Sequence, residues 1–135
     1  MTSEIEQLYQ DIGTQAVAAA NGPVKKLLLY AEVQPGVVSA DIFYTMGTSP
    51  AVKFLFASDA LLATVYRFWT QWKQQTGNRE WVVMLYVLEN GRVNMELNYA
   101  NQLDANEDIA ERRSHAIKKH FGDSKVDYSA GSQSR

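Results

Sequence analysis

Asn90-Gly91 stands between two β-rich runs, residues 80–89 and 92–100, and constrains the fold more than any other pair in the chain. Both central residues of a two-residue type I′ turn take positive φ, which Asn and Gly tolerate best, so the pattern predicts a tight hairpin. The first run is apolar from Trp81 to Leu88 and reads as a central strand. The second alternates. Val93, Met95, Leu97 and Tyr99 share one face, and Arg92, Asn94, Glu96 and Asn98 the other.

A second hairpin is expected from residues 24–34 and 37–46 around Gln34-Pro35-Gly36. After the break Gly47-Thr48-Ser49-Pro50, residues 51–57 read as a short third strand. Lys53 and the adjacent Pro50 give it the character of an edge strand, open to a partner strand.

Three helices complete the order. In the first, Ser3 and Glu6 form a capping box. Ile5, Leu8, Tyr9, Ile12, Ala16, Ala19 and Ala20 make one apolar face. Gly13 weakens its middle, and Gly22 is the expected left-handed cap before Pro23. The second starts at Ser58-Asp59, carries the stripe Leu61, Leu62, Val65, Phe68, Trp69 and Trp72, and stops near Gly77. The third spans 107–121. Acids open it, Lys118, Lys119 and His120 close it, and Gly122 ends it. The order α-β-β-(β)-α-β-β-α predicts an α+β domain. Its antiparallel sheet has four to five strands, with three helices packed on one side. Residues 1–128 form a single domain, and 129–135 a small, polar, frayed tail.

Composition narrows the function. The 135 residues hold 13 basic and 15 acidic side chains, 46% apolar residues and no cysteine. That suits one soluble globular domain, and it removes disulfides, thiolate metal sites and thiol nucleophiles. The slight negative charge argues against direct nucleic-acid binding. There is no signal sequence and no run long enough to span a bilayer, so a cytoplasmic location is expected.

Catalytic patterns are missing from the string. The two histidines, His115 and His120, are five apart and do not share a helical face as metal ligands would. No zinc, calcium, phosphate-loop or nucleophile-elbow motif occurs. No catalytic residue, cofactor or metal is therefore expected. The Phe68, Trp69 and Trp72 stripe reads as core rather than a ligand platform, and Lys118-Lys119-His120 as a solvated helix end.

The acids point to a partner. If Leu27, Leu29, Ala31, Val33, Val38, Ala40, Ile42, Val93, Met95 and Leu97 face the core, the opposite sheet face carries Tyr30, Glu32, Asp41, Phe43 and Glu96. Left exposed, carboxylates around aromatic anchors would suit a basic protein partner; the alternative is an ordinary wet sheet face or one covered by a helix. A second candidate surface is the start of the last helix, with Asp104, Glu107, Asp108 and Glu111.

Several strings together resemble the YezG-like family of immunity proteins, which are encoded beside polymorphic or contact-dependent toxins. They are residues 5–12 (IEQLYQDI), 29–33 (LYAEV) and 42–44 (IFY), then Trp81, residues 88–93 (LENGRV), Asn98-Tyr99 and Glu111-Arg112-Arg113. The match runs to about Gly122. The resemblance implies an intracellular antitoxin that binds one cognate toxin domain, commonly a nuclease, and blocks its active site or substrate path. Residues 45–53 carry no acid, and Ser114-His115-Ala116-Ile117 no aromatic, which departs from the family pattern and leaves the toxin's identity open. The rival class is an adaptor or regulatory domain for another protein or peptide. A small-molecule enzyme would instead need a polar pocket under the helices.

Overall fold

The computed structural model describes residues 4–47, 51–75 and 79–128. The Ser3 half of the capping box, residues 48–50 of the break, the Gly77 stop and the 129–135 tail lie outside them. The first hairpin joins β1 (Lys26–Gln34) to β2 (Val37–Thr45), and the second joins β4 (Val83–Glu89) to β5 (Arg92–Asn98). Asn90 and Gly91 have φ of 54° and 75°, the backbone a type I′ turn requires. β3 (Val52–Phe56) lies antiparallel to β2.

The sheet order is β5-β4-β1-β2-β3-β6. The domain is α+β, as expected, but the sheet is longer than the expected four to five strands and is mixed. Its sixth strand, β6 (Val126–Asp127), runs parallel to β3 and pairs Val126 with Val52 and Asp127 with Lys53. Two residues carry no period, so the pattern has no signal for β6. Its presence also corrects the expected open edge at residues 51–57, because β6 covers the start of β3.

α1 (Glu4–Ala20) and α2 (Asp59–Gln74) cover one face of the sheet. Leu8, Ile12 and Ala16 of α1 and Leu61, Val65, Phe68 and Trp69 of α2 pack on Leu27, Leu29, Ala31, Ile42, Met84 and Tyr86. The α2 start is as read: the Ser58 hydroxyl accepts from the Leu61 N–H at 3.1 Å. Asn21, rather than Gly22, takes the left-handed position after α1, with φ 52°. Gly13 is a contact point. A Cβ there would come within 2.4 Å of the Tyr86 hydroxyl, which donates to the Tyr9 carbonyl at 3.1 Å.

The third helix corrects the expected layering. α3 (Ile109–Phe121) lies on the opposite face of the sheet, where Ala116 and Ile117 pack with Leu28, Tyr30, Phe43, Val83, Leu85 and Val87. The sheet is therefore sandwiched, and β1 is buried from Leu27 to Val33 on both faces. An unbroken apolar run, Leu27-Leu28-Leu29-Tyr30-Ala31, is the signature of such a strand. No helix among the described residues is long and apolar enough to cross a membrane.

Candidate functional site

The alternation along β1, β2 and β5 sorts side chains to the correct faces, but the face of Tyr30, Glu32, Asp41, Phe43 and Glu96 is not open. α3 lies over it. Tyr30, Glu32 and Phe43 are only 3%, 8% and 0% exposed. The reason is electrostatic as well as apolar. Arg112 meets Glu32 through a two-pronged contact, with Nε and Nη2 each donating to one carboxylate oxygen at 2.9 Å. The Tyr30 hydroxyl donates to the same carboxylate at 2.6 Å, and Arg112 Nη1 donates to the Glu107 carbonyl at 2.6 Å. Arg113 Nη1 donates to Asp41 at 2.7 Å, and Lys119 Nζ to Glu96 at 3.4 Å.

The carboxylates on this face do attract a basic partner, and it is the chain's own last helix. Adjacent arginines reach adjacent strands, Arg112 to β1 and Arg113 to β2, while Lys119, two turns on, reaches β5. Fork geometry makes the Arg112–Glu32 contact directional. Burial, and then the bond to Glu32, push the Tyr30 hydroxyl well above its ordinary range. The bond to Glu32 raises the Arg112 guanidinium despite its burial. Tyr30, Glu32 and Phe43 are thus sealed beneath α3, and Asp41 and Glu96 are tied to it.

The second set of acids has a different setting. Asp104, Asp108 and Glu111 are exposed and Glu107 is half-buried. Asp108 is the N-cap of α3: its carboxylate accepts from the Glu111 N–H at 2.8 Å, and Glu111 reaches back to the Asp108 N–H at 3.4 Å. This reciprocal cap is written in the sequence as D-x-x-E, a signal the reading of the helix start passed over. Glu107 lies 2.7 Å from His115 Nδ1, and Asp104 accepts from the Asn106 N–H at 2.9 Å.

Between this corner and the sheet lies a cleft of about 290 Å³. Val83, Leu85 and Leu103 contribute its apolar lining; the carboxylates of Glu96, Asp104 and Glu107 line it too, as do Arg112, His115 and Lys119. Glu96 thereby joins the second set. The 3₁₀ turn Ala100–Gln102 sets the approach, with the Gln102 side chain accepting from the Tyr99 N–H at 2.8 Å. An apolar lining with carboxylates around it can take the methylenes and the charged end of a lysine or arginine.

A second surface was not anticipated. Val93, Met95 and Leu97 of β5 are half-buried on the α1 face. Two apolar depressions, of about 660 and 430 Å³, follow α1 above them and share Tyr9 and Gln10 as lining. The clean alternation of residues 92–98 located the face, but nothing in the string states that β5 ends the sheet. Among the described residues no group of three His, Asp or Glu side chains is placed to hold a metal ion. Phe68 and Trp69 are buried in the core, and Trp72 stacks on Phe68 with ring centres 6.0 Å apart. No protein-family model matches this chain, and no curated protein is similar enough to stand as a relative.

Proposed function

We propose that this chain is a cytoplasmic immunity protein that neutralises a cognate toxin domain, a basic nuclease, by stoichiometric contact and without turnover of its own. The observation that supports the reading is the cleft lined by the carboxylates of Glu96, Asp104 and Glu107 beside Val83, Leu85 and Leu103, where Glu96 already faces Lys119 and Glu107 faces His115. Such a site offers carboxylates where a nuclease surface is built to meet phosphates, and complementary charge speeds encounter and selects the partner. Asp108 and Glu111 extend the acidic rim beside it. The YezG-like resemblance supplies the partner class; the cleft supplies a place for it.

The test is co-expression with the toxin domain encoded next to the gene, followed by co-purification and titration. Joint charge reversal, Asp104→Lys with Glu107→Lys, should weaken toxin binding at least tenfold, about 1.4 kcal/mol. Asp59→Lys, on an exposed residue of α2, should leave it unchanged. Undiminished affinity in the double variant removes the cleft as the contact. Failure of the unaltered chain to bind or protect removes the immunity reading.

A further inference from the structure

The two edges of the sheet differ. One ends in β6, a two-residue strand with Lys53 and Asp127 paired at its margin, features that discourage strand addition. The other is β5, seven residues long, and among the described residues nothing pairs with its outer side. Hairpin geometry decides which backbone groups point outward there. The two-residue turn makes Glu89 and Arg92 the closing hydrogen-bonded pair, so Arg92, Asn94, Glu96 and Asn98 exchange bonds with β4. The N–H and C=O groups of Val93, Met95 and Leu97 then face away from β4. Their side chains are the apolar set under α1.

We propose that a second copy of this chain pairs along this edge, β5 against β5, antiparallel about a two-fold axis at Met95. In that register Val93 lies opposite Leu97 of the second copy, Met95 opposite Met95, and Leu97 opposite Val93. Each of these pairs exchanges two backbone hydrogen bonds. On the other face Arg92 lies opposite Asn98, and Asn94 opposite Glu96, so no like charges meet and an amide faces a carboxylate. A two-fold seam must complement itself, and this strand does. Centring the axis on Asn94 still sets Val93 against Met95, and on Glu96 Met95 against Leu97, but the first leaves Leu97 and the second Val93 without a strand partner, and the second also brings two Glu96 carboxylates face to face. Moving it to Val93 or Leu97 leaves outward groups unpaired. The Met95 register is therefore the one that pairs all three outward residues within β5. It rests on the strand edge and does not need the toxin reading, though Glu96 and Asn98 border both surfaces.

The absence of native cysteine makes the test direct. Met95→Cys on the axis places two Cα atoms about 5.5 Å apart, within disulfide range, so mild oxidation should give a covalent dimer. Val93→Cys faces Leu97 rather than itself and should stay uncrosslinked. Sedimentation from micromolar to near-millimolar concentration should show the unaltered chain shifting to dimer. Met95→Pro removes the outward N–H together with a half-buried side chain, so it should stay monomeric at the cost of some melting temperature. If Met95→Pro fails to fold, the cysteine pair still decides. An unaltered chain that stays monomeric throughout, or cross-linking as efficient at residue 93 as at 95, overturns the proposal.

Discussion

Arg112 illustrates what one side chain decides in this protein. It is the countercharge to Glu32, which lies between β strands and α3 with only 8% of its surface exposed. Taking away one partner of a buried ion pair leaves the other charged and unsolvated, which costs about 3–5 kcal/mol. Arg112→Ala should lower unfolding free energy by that amount in urea titration, and Arg112→Lys by less, since a lysine keeps charge but loses the fork. A loss below about 1 kcal/mol for Arg112→Ala, the range of exposed pairs, would mean that Glu32 is solvated after all. The phenols set a pH limit. Burial, with a smaller contribution from Tyr9, pushes Tyr86 up to about 12 from an ordinary 10.0, and Tyr30 moves the same way through burial and then Glu32. A raised folded-state value means the stabilisation is complete below pH 10 and is lost as pH climbs toward 12. Melting temperature should fall across that window, and Tyr86→Phe, which cannot ionise, should flatten the fall. An unchanged slope in Tyr86→Phe would place the alkaline sensitivity elsewhere.

At the scale of elements, α1 shows how a local penalty becomes a packing requirement. Gly13 weakens an isolated helix by about 1 kcal/mol relative to alanine. Here its bare Cα lets α1 settle on the Tyr86 ring, which is only 1% exposed and fixed by its bond to Tyr9. Gly13→Ala should therefore destabilise the protein by about 1–3 kcal/mol, overpacking outweighing the propensity gain, as thermal melts can measure. A more stable Gly13→Ala variant would show that Tyr86 gives way freely. Most elements were legible because each carried its own period and punctuation: Ser58 for α2, Asn90-Gly91 for the second hairpin, Gly122 for α3. β6 was not, since its position depends on β3, distant in sequence, and not on its own two residues.

For the whole molecule, faces were legible and layers were not. Alternation in residues 37–46 and 92–98 separates Asp41 and Glu96 from the apolar set correctly. Whether that polar set meets water depends on where the last helix lands, and a period cannot state that. The counterpart was present as Arg112-Arg113 and Lys119, basic residues whose partners lie 72 and 80 residues upstream for Arg113 and Arg112 and 23 upstream for Lys119. In the acidic corner Asp104, Asp108 and Glu111 stayed exposed, and Glu107 half-buried against His115, because the corner precedes and caps the helix instead of lying beneath it. The two sets of acids should thus part in experiment. Asp41→Lys, set against Arg113, should lower the melting temperature more than Asp104→Lys with Glu107→Lys, which should act chiefly on the proposed toxin binding. Equal loss of stability in both would mean that the corner, too, is part of the scaffold.

Because α3 is the closing layer, its position late in the chain matters for biosynthesis. When a ribosome has released residues 1–100, all of β1–β5 exist with both helices of the first face, yet Leu28, Phe43 and Leu85 still have no lid. The nascent protein must shelter that greasy plane from its neighbours until Ile117 emerges.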